Sequence, residues 1–324
     1  MVKAICIHET GGPEVMRWED VEVGKPGPGE VRLRHTAVGL NYIDVYHRSG
    51  LYPLPKLPVV IGREATGVVE EVGTGVTSLE PGDRVAYVDP MGSYAEARLH
   101  PADRLVKLPA GISDHTAAAM MLNGLTAQYL LRRTYRVQAG ETILVHAAAG
   151  GVGLILCDWA KHLAATVIGT VSTEEKAALA QQHGCTHTIL YTRENFVELV
   201  KEITDGKGVA VVYDSVGKDT FAGSLDCLRP LGMMVSYGNA SGKVPPFDLS
   251  ILMMKGSLFL TRPTLVTYTA TREDLEKGCA ELFDVVRKSI VKIEVKQTYP
   301  LKDAAAAHRD LEARKTSGST VLLP

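Results

Sequence analysis

Hydrophobic and polar positions follow two different patterns along the chain, and the change falls near residue 115. Before that point, short runs with partial alternation are separated by clusters of glycine and proline. The clearest runs are VKAICIH, EVRLRHTAV, ATGVVEEVG and DRVAYV. Brief alternating runs between turn signals predict the β-strands of a barrel or a sandwich. We therefore expect a β-rich first domain.

From residue 141 onward, continuous apolar runs alternate with amphipathic stretches. The runs that predict strands are ETILVH, ATVIGTV, HTILY, VAVVYDSV and GMMVSYG. Apolar strands separated by helices of about 10 to 15 residues predict a parallel sheet covered on both faces. A helix capped by Asp114 is expected just before this block, because aspartate is a favoured N-cap.

These patterns predict an α/β chain in which a Rossmann domain, a doubly wound parallel sheet, is inserted into another domain. We place the Rossmann domain at residues 125–261. The β-rich domain is expected to comprise residues 1–124 together with residues 262–324, which return to it after the insertion. A length of 324 residues suits two domains.

Composition excludes several classes of protein. The formal net charge is -2, so the chain has no basic excess for nucleic acid or an anionic membrane. No apolar run reaches the roughly 18 residues of a spanning helix, and the first residues lack the apolar core of a signal peptide. The five cysteines are scattered, which argues against a zinc ribbon or a disulfide framework. We expect a cytoplasmic protein with no nucleic-acid partner.

The segment LVHAAAGGVG, residues 144–153, resembles a dinucleotide-binding fingerprint with one glycine replaced. Gly150 and Gly153 match the G-x-G-x-x-G pattern, and Ala148 stands at its first position. The segment follows a predicted strand and opens a predicted helix, which is the context that this motif requires. Ala148 is acceptable there if its φ is negative. The alternative is a tight turn without a ligand, and we expect His146 to be a packed or backbone-bonded imidazole.

The end of the next strand indicates which dinucleotide is bound. NAD-binding proteins carry an acidic residue about 20 positions after the loop, to bind the ribose 2′-hydroxyl. Here the strand ends at Ser172, and Lys176 follows closely, whereas Glu174 and Glu175 fall in the next helix. A hydroxyl and a lysine suit a 2′-phosphate, which a carboxylate would repel. We expect NADPH in preference to NADH.

Several segments together resemble the zinc-independent quinone oxidoreductases, the zeta-crystallin-like members of the medium-chain dehydrogenase/reductase superfamily. The segments are GLNYIDVYHRSGLYP (39–53), GREATGVVEEVG (62–73), NGLTAQYLL (123–131), HAAAGGVG (146–153) and ARKTSGSTVLLP (313–324). The resemblance covers the whole chain. It implies a GroES-like fold for the β-rich catalytic domain and a homodimer, for which the segment GSLFLTR is our candidate edge strand.

The resemblance also assigns site residues. It implies that the substrate-side, catalytic group consists of Asn41, Tyr46, Tyr52 and Thr126. It implies that the cofactor is held by Asn123, Ala148, Gly150, Gly151, Val152, Gly153, Ser172, Lys176, Tyr191, Gly238, Asn239 and Arg314. Zinc alcohol dehydrogenases of the same superfamily carry a ligand cysteine where Asn41 stands and a ligand histidine where Arg63 stands. We therefore expect no metal, and we interpret Arg63 and Glu64 as a structural charge pair.

Without a Lewis acid, the chemistry falls to the cofactor, and the protein supplies orientation and hydrogen bonds. A quinone needs little activation beyond a donor near the oxygen that becomes negative. The leading interpretation is a metal-independent NADPH:quinone reductase that holds its substrate in the interdomain cleft, with one- and two-electron reduction both open. The alternatives are an NADPH-dependent enone or 2-alkenal reductase and, in another class, a crystallin-like structural or RNA-binding protein.

Overall fold

The computed structural model describes residues 1–324, and the chain forms two compact units. Unit 1 comprises Met1–Leu125, Thr269–Phe283 and Ile293–Pro324, and unit 2 comprises Thr126–Tyr268 and Asp284–Lys292. The main change of unit falls next to the predicted boundary at residue 124. Residues 262–268 and 284–292, predicted for the first domain, belong to unit 2.

The strands are numbered in chain order. They are β1 Val2–Ile7, β2 Met16–Val21, β3 Glu30–Leu40, β4 Val59–Val60, β5 Glu64–Val72, β6 Arg84–Val88, β7 Ala97–Pro101, β8 Val106–Lys107, β9 Thr142–Val145, β10 Thr166–Val171, β11 His187–Leu190, β12 Val209–Asp214, β13 Leu228–Ser236, β14 Phe259–Thr261, β15 Val295–Pro300 and β16 Ser319–Leu323.

The α-helices are numbered in the same way. They are α1 Tyr42–Arg48, α2 Asp114–Tyr129, α3 Gly151–His162, α4 Glu174–Gln182, α5 Phe196–Ile203, α6 Phe221–Asp226, α7 Ser250–Met254, α8 Leu265–Tyr268, α9 Arg272–Arg287 and α10 Ala304–Glu312. A π-helical turn, Leu130–Thr134, follows α2.

Unit 1 is built around two sheets. The larger has the order β15-β16-β3-β5-β6-β8, with β7 paired to β3, and the smaller has the order β2-β1-β4. Strand β3 alternates buried and solvent-facing positions along its first half, as its sequence predicts for a sheet with one wet face. Its inward side chains, Val31 and Leu33, are fully buried in the same core as Ile5, Tyr87 and Leu322.

Unit 2 contains a six-stranded sheet in which every neighbouring pair is parallel. Its order is β11-β10-β9-β12-β13-β14, so the chain runs outward from β9 in one direction and from β12 in the other. Ligands of such sheets bind beyond the carboxyl ends of the strands, at the point where the order reverses. The predicted Rossmann architecture is therefore confirmed, and that point lies between β9 and β12.

Two local predictions are corrected, and one helix was missed. Ser113 caps α2 by accepting a hydrogen bond from the Thr116 amide, whereas the Asp114 carboxylate pairs with Arg84. The strand after α6 begins at Leu228, earlier than the GMMVSYG run suggests. The short helix α1 was not predicted, although Asn41 and Asp44 have the spacing of a capping box. No helix in the structure is both long enough and apolar enough to cross a membrane.

Candidate functional site

The glycine loop, residues 146–153, joins the carboxyl end of β9 to α3. Gly150 is the N-cap of the helix, with an extended backbone (φ −82°, ψ 172°), and the first helical turn is Gly151, Val152 and Gly153. Amides of a first turn have no acceptor within their own helix, and this turn contains no acidic side chain. The loop therefore presents unopposed N–H groups and the positive end of a helix dipole, which suit a pyrophosphate.

The two matching glycines have different surroundings. A Cβ at Gly153 would lie 2.7 Å from the carbonyl carbon and oxygen of Ala148 and closer still to the oxygen of Ala147. A Cβ at Gly150 would meet only the Ala147 oxygen, at 3.3 Å. Gly153 is thus required for packing of the helix, whereas Gly150 leaves open space above the loop. Ala148 is fully buried, and the positive φ of the loop, 53°, falls at Ala147, so Ala148 meets the condition of a negative φ.

The end of β10 forms the second part of the site. Ser172 follows the strand, and its carbonyl accepts a hydrogen bond from the Thr192 hydroxyl. The Tyr191 amide donates to Val171, which brings Tyr191 beside the strand end. Thr173 caps α4 by accepting from the Lys176 amide. Ser172, Lys176 and Tyr191 therefore surround one strand end.

The first acidic residue after β10, Glu174, is exposed and pairs with the Arg193 guanidinium. Its carboxylate is thus neutralised at the surface by a cation. Arg193 was not among the predicted residues, and nothing in a single sequence links it to Glu174, 19 positions away. The strand end consequently carries hydroxyl groups and cations, which suits a phosphate better than a bare ribose hydroxyl.

Gly238 and Asn239 follow β13 at the same edge of the sheet. The amides of Tyr237 and Gly238 both donate to the Asp214 carbonyl at the end of β12. A Cβ on Gly238 would come within 2.8 Å of the Ser215 backbone, so no side chain fits there. Asn239 is buried beside it. The carboxyl ends of β12 and β13 are therefore held in close contact through backbone groups.

His146 is buried, as expected, but its hydrogen bonds go to side chains. Its Nδ1 lies 2.9 Å from the Thr170 hydroxyl and its Nε2 lies 2.9 Å from the Ser224 hydroxyl. Ser224 donates in turn to the carboxylate of Asp214, 3.1 Å away. Burial lowers the pKa of His146 below its ordinary value. The imidazole is therefore a neutral link in a polar chain below the glycine loop.

In unit 1, Asn41 is held by the buried carboxyl group of Glu64. The Asn41 Nδ2 donates to Glu64 Oε1 at 2.6 Å, and the Leu122 amide of α2 donates to Oε2 at 2.6 Å. Burial, with Asp44 and Asp89 nearby, raises the pKa of Glu64 to about 8. Gly39 leaves room for this carboxyl group, because a Cβ there would overlap it.

A second buried network fixes the helix on which Asn41 acts as N-cap. Asp44 accepts from the Asn41 amide at 2.9 Å and from the Tyr94 hydroxyl at 3.1 Å. Tyr94 also contacts His308 Nε2 at 3.0 Å, and His308 Nδ1 faces the Arg48 guanidinium at 3.1 Å. Burial raises the pKa of Asp44 to about 7 and lowers that of His308 to about 3.

Tyr46 and Tyr52 form an aromatic cluster beside α1. Their ring centroids are 5.0 Å apart. The Tyr42 ring lies 6.1 Å from that of Tyr46, and the His47 ring lies 5.9 Å from that of Tyr52. Tyr46 is buried, whereas Tyr52 is partly exposed. The Tyr52 amide also donates to the Tyr46 carbonyl. The cluster therefore has a rigid inner ring and an accessible outer one.

Asn123 and Thr126 lie almost one turn apart on α2. The Asn123 amide donates to Ala119 and to the Ser319 hydroxyl, at 3.3 and 3.2 Å. Thr126 hydrogen-bonds Tyr129, whose ring stacks on Tyr268 at 4.3 Å. Arg314 is exposed after α10 and has a positive φ of 59°. The cofactor role expected for Arg314 stays a prediction.

The interpretation of Arg63 and Glu64 as a charge pair is wrong. Arg63 pairs with Asp89, and Glu64 accepts hydrogen bonds from Asn41 and Leu122 instead. Neighbouring residues of an extended chain point to opposite sides, which separates the two charges. No three His, Cys, Asp or Glu side chains in the structure are grouped as a metal site.

The structure therefore gathers most of the predicted residues into two groups, and Asn123, Thr126 and Arg314 are not among them. The residues in unit 2 lie at the carboxyl ends of neighbouring strands: Ala148, Gly150, Gly151, Val152, Gly153, Ser172, Lys176, Tyr191, Gly238 and Asn239. The unit 1 group is Asn41, Tyr46 and Tyr52 around α1. Sequence reasoning missed Glu64 as the partner of Asn41, and it missed Thr170, Ser224 and Asp214 as the partners that surround His146.

Comparison with protein families gives two matches along the chain. A model described as an alcohol dehydrogenase GroES-like domain matches residues 27–110. A model described as a zinc-binding dehydrogenase matches residues 151–283. The first lies within unit 1 and the second covers most of unit 2, so the GroES-like expectation for the first domain is confirmed.

Individual relatives match over the full length. A quinone oxidoreductase of Pseudomonas aeruginosa is 54% identical, with 100% of both chains covered. A 2-haloacrylate reductase of a Burkholderia species is 52% identical over 100% of this chain and 99% of its own. The crystal structure of Escherichia coli quinone oxidoreductase complexed with NADPH superposes with a TM-score of 0.98 at 49% identity, covering 99% of this chain and 100% of that one.

Proposed function

The chain belongs to the zeta-crystallin-like quinone oxidoreductases of the medium-chain dehydrogenase/reductase superfamily, and we propose that it reduces quinones with NADPH. One observation carries the proposal. The carboxyl edge of the unit 2 sheet combines a glycine loop suited to a pyrophosphate with a strand end that has hydroxyl groups, a nearby lysine and no acidic residue before α4 begins. These are the features that NADPH requires.

The residues present fit NADPH at both of its phosphate groups. The open space at Gly150 and the first-turn amides of α3 suit the pyrophosphate. Ser172, Lys176 and Tyr191 suit the 2′-phosphate, and we assign Gly238 and Asn239 to the nicotinamide end. We also assign cofactor contacts to Asn123 and Arg314. When bound, NADPH supplies the hydride or single electron that reduces the substrate.

On the substrate side, the chain supplies orientation and a hydrogen bond. The Asn41 amide is held on a rigid helix terminus and is anchored by Glu64. An amide N–H directed at the substrate would stabilise the oxygen that gains charge during reduction. Tyr46 and Tyr52 would border a planar ring. We assign Thr126 to the same group.

Cofactor choice provides the first test. We expect Lys176→Ala to raise KM for NADPH about tenfold and to change KM for NADH less than twofold, since only NADPH has the 2′-phosphate. Lys201→Ala, which removes an exposed lysine from α5 of the same unit, is the matched control and should leave both values unchanged. Equal effects of Lys176→Ala on both cofactors would show that this lysine does not bind the phosphate.

A second candidate function is reduction of an activated C=C bond. The full-length similarity to a 2-haloacrylate reductase favours it, and the same cofactor site would serve. Steady-state assays with 1,4-benzoquinone, 9,10-phenanthrenequinone, 2-chloroacrylate and a 2-alkenal separate the two. We expect the highest kcat/KM with a quinone. A value more than tenfold higher for a C=C substrate would make the second function the correct one.

We propose that the reaction needs no metal. The two positions that correspond to zinc ligands in related alcohol dehydrogenases carry Asn41 and Arg63, which are engaged by Glu64 and Asp89. A tetrahedral zinc site needs three or four Cys, His or carboxylate ligands. Elemental analysis of active protein should give well under one zinc per chain, and activity should survive EDTA. Stoichiometric zinc that is lost together with activity would refute this proposal.

We also propose a homodimer formed through the edge strand β14. Strand β14 pairs only with β13, and Phe259 is 55% exposed on it. Leu231, Met253 and Met254 of the same unit are also exposed. Apolar side chains beside an open strand edge favour pairing with a second copy. Light scattering should give twice the chain mass, and Phe259→Lys should give monomers; a wild-type monomer at micromolar concentration would contradict this.

A further inference from the structure

Four buried side chains form a continuous hydrogen-bonded chain across the carboxyl edge of the unit 2 sheet. The order is Thr170 of β10, His146 of the glycine loop, Ser224 of α6 and Asp214 of β12, with separations of 2.9, 2.9 and 3.1 Å. None of the four is more than 1% exposed. Because solvent does not reach them, the loss of either His146 bond leaves a buried ring nitrogen without a partner.

The hydrogens in this chain have one consistent arrangement. The carboxylate of Asp214 only accepts, so the Ser224 hydroxyl donates to it. The Ser224 oxygen is then the acceptor for His146 Nε2–H. With its proton on Nε2, the neutral imidazole accepts the Thr170 hydroxyl hydrogen at Nδ1. Each donor in the chain thus has one acceptor, and the imidazole of His146 is fixed in one tautomer.

One end of the chain lies at the strand that bears the phosphate-binding group. Thr170 is two residues before Ser172, and its carbonyl accepts the Ala148 amide of the glycine loop at 3.1 Å. Thr170 therefore contacts the loop through its backbone and His146 through its side chain. A change in the Thr170 hydroxyl bond would alter the position of the strand end relative to the loop.

The other end lies at the turn after β12. The Asp214 carboxylate accepts from the amides of Val216 and Gly217, at 2.8 and 3.0 Å. Its carbonyl accepts the Gly238 amide at 3.3 Å. Asp214 thereby shapes the turn that packs against Gly238, which we assign to the nicotinamide end. His146 is the link between these two regions, and its ring is held by an edge contact with Phe196 at 5.0 Å.

We propose that His146 is a positioning residue that holds both the adenosine end and the nicotinamide end of the NADPH site. The proposal rests on the proposed function, because it concerns the same cofactor. His146 acts through Thr170 on the 2′-phosphate group and through Ser224 and Asp214 on the nicotinamide segment. The bond at Nδ1 therefore affects the affinity for NADPH, and the bond at Nε2 affects the rate of the chemical step.

Two conservative variants separate the two sides while keeping the imidazole. Thr170→Val removes only the bond at Nδ1, and we expect it to raise KM for NADPH about fivefold with kcat within about twofold of wild type. It should change KM for NADH less than about twofold. Ser224→Ala removes the bond at Nε2, and we expect kcat at saturating NADPH to fall about fivefold with KM nearly unchanged.

Variants of His146 itself supply the complementary test. The side-chain amide of His146→Asn reaches the position of Nδ1, so this variant should behave like Ser224→Ala. The longer side chain of His146→Gln reaches the position of Nε2, so it should behave like Thr170→Val. His146→Phe fills the volume and removes both bonds, and it should show both defects. If His146→Phe does not fold, Thr170→Val and Ser224→Ala still test the proposal, because both keep the imidazole.

The measurements are steady-state kinetics with 1,4-benzoquinone against NADPH and NADH, together with Tm for each variant. If His146 has a purely structural role, all variants should have a lower Tm, and no variant should change KM or kcat selectively. The proposal is overturned if Thr170→Val and Ser224→Ala both keep KM and kcat within about twofold of wild type while Tm falls. A wild-type protein that neither binds NADPH nor reduces a quinone refutes the proposed function as well, whereas an active wild type with unchanged variants refutes only the positioning role of His146.

Discussion

Alanine at each glycine of the glycine loop separates helix packing from cofactor approach. At Gly153 the new methyl would lie 2.7 Å from two backbone atoms of Ala148 and closer to a third, and backbone cannot move aside as a side chain does. Overpacking of this kind costs about 1 to 3 kcal/mol. For a unit of this size, Tm falls about 2 to 4 °C per kcal/mol, so we expect Gly153→Ala to lower Tm by about 2 to 12 °C.

At Gly150 the same substitution has little to displace within the protein. Its φ of −82° is open to alanine, and only the Ala147 oxygen lies near, at 3.3 Å. We expect a cost below about 1 kcal/mol. The methyl would, however, occupy the open space where the pyrophosphate approaches the backbone. Gly150→Ala should therefore raise the Kd for NADPH at least about tenfold while Tm stays near that of wild type.

Thermal unfolding and NADPH titration on the same two samples test this assignment. Each variant is the control for the other, since both add one methyl group to the same loop. Wild-type affinity for NADPH in Gly150→Ala would show that the loop does not hold the pyrophosphate. A wild-type Tm in Gly153→Ala would show that the close approach of α3 to the loop is not needed for stability.

Three further outcomes concern stability. Because the fold raises the pKa of Glu64 from 4.5 to about 8, the free energy of unfolding should fall as pH rises through that range, by at most about 5 kcal/mol. Urea titrations at pH 5, 7 and 9 measure this fall, and Glu64→Gln should abolish it. Gly169→Ala should lower Tm, and adding Ala148→Gly should restore part of the loss. Arg48→Met should lower the free energy of unfolding, measured with urea, by about 3 kcal/mol, because the Gly11 carbonyl and His308 Nδ1 lose their donor. The control Arg32→Met, which breaks a surface ion pair, should lower it by less than about 1 kcal/mol.

The arrangement in unit 2 could be predicted from sequence because its geometry is local. Gly150, Ser172 and Gly238 each lie soon after the end of a strand, and the carboxyl ends of parallel strands share one edge of a sheet. Knowing the strands was therefore enough to place Gly150, Ser172 and Gly238 at that edge. The bounds of short elements were less accessible, since α6 ends at Asp226 and β13 begins at Leu228, with no glycine or proline between them to mark the change.

The polar pairs of unit 1 could not be predicted, because they join distant parts of the chain. Asn41 and Glu64 are 23 residues apart, and Arg48 and His308 are 260 apart. Proximity in sequence suggested Arg63 as the partner of Glu64, and strand geometry points the two side chains apart. One local signal was available, since the capping-box spacing of Asn41 and Asp44 indicates the start of α1.

The replaced glycine of the fingerprint has a counterpart on the neighbouring strand. A Cβ on Gly169 of β10 would lie 2.6 Å from the Cβ of Ala148 and 2.6 Å from the Cys185 sulfur. The space between the glycine loop and β10 therefore accepts one methyl group. In this chain that group belongs to Ala148 of the loop, and the facing residue of β10 is Gly169. The positive φ of the loop falls at Ala147, so position 148 has no conformational need for glycine. In this chain the small volume at this position is shared by the loop and β10, and alanine at position 148 fits because the residue opposite is Gly169.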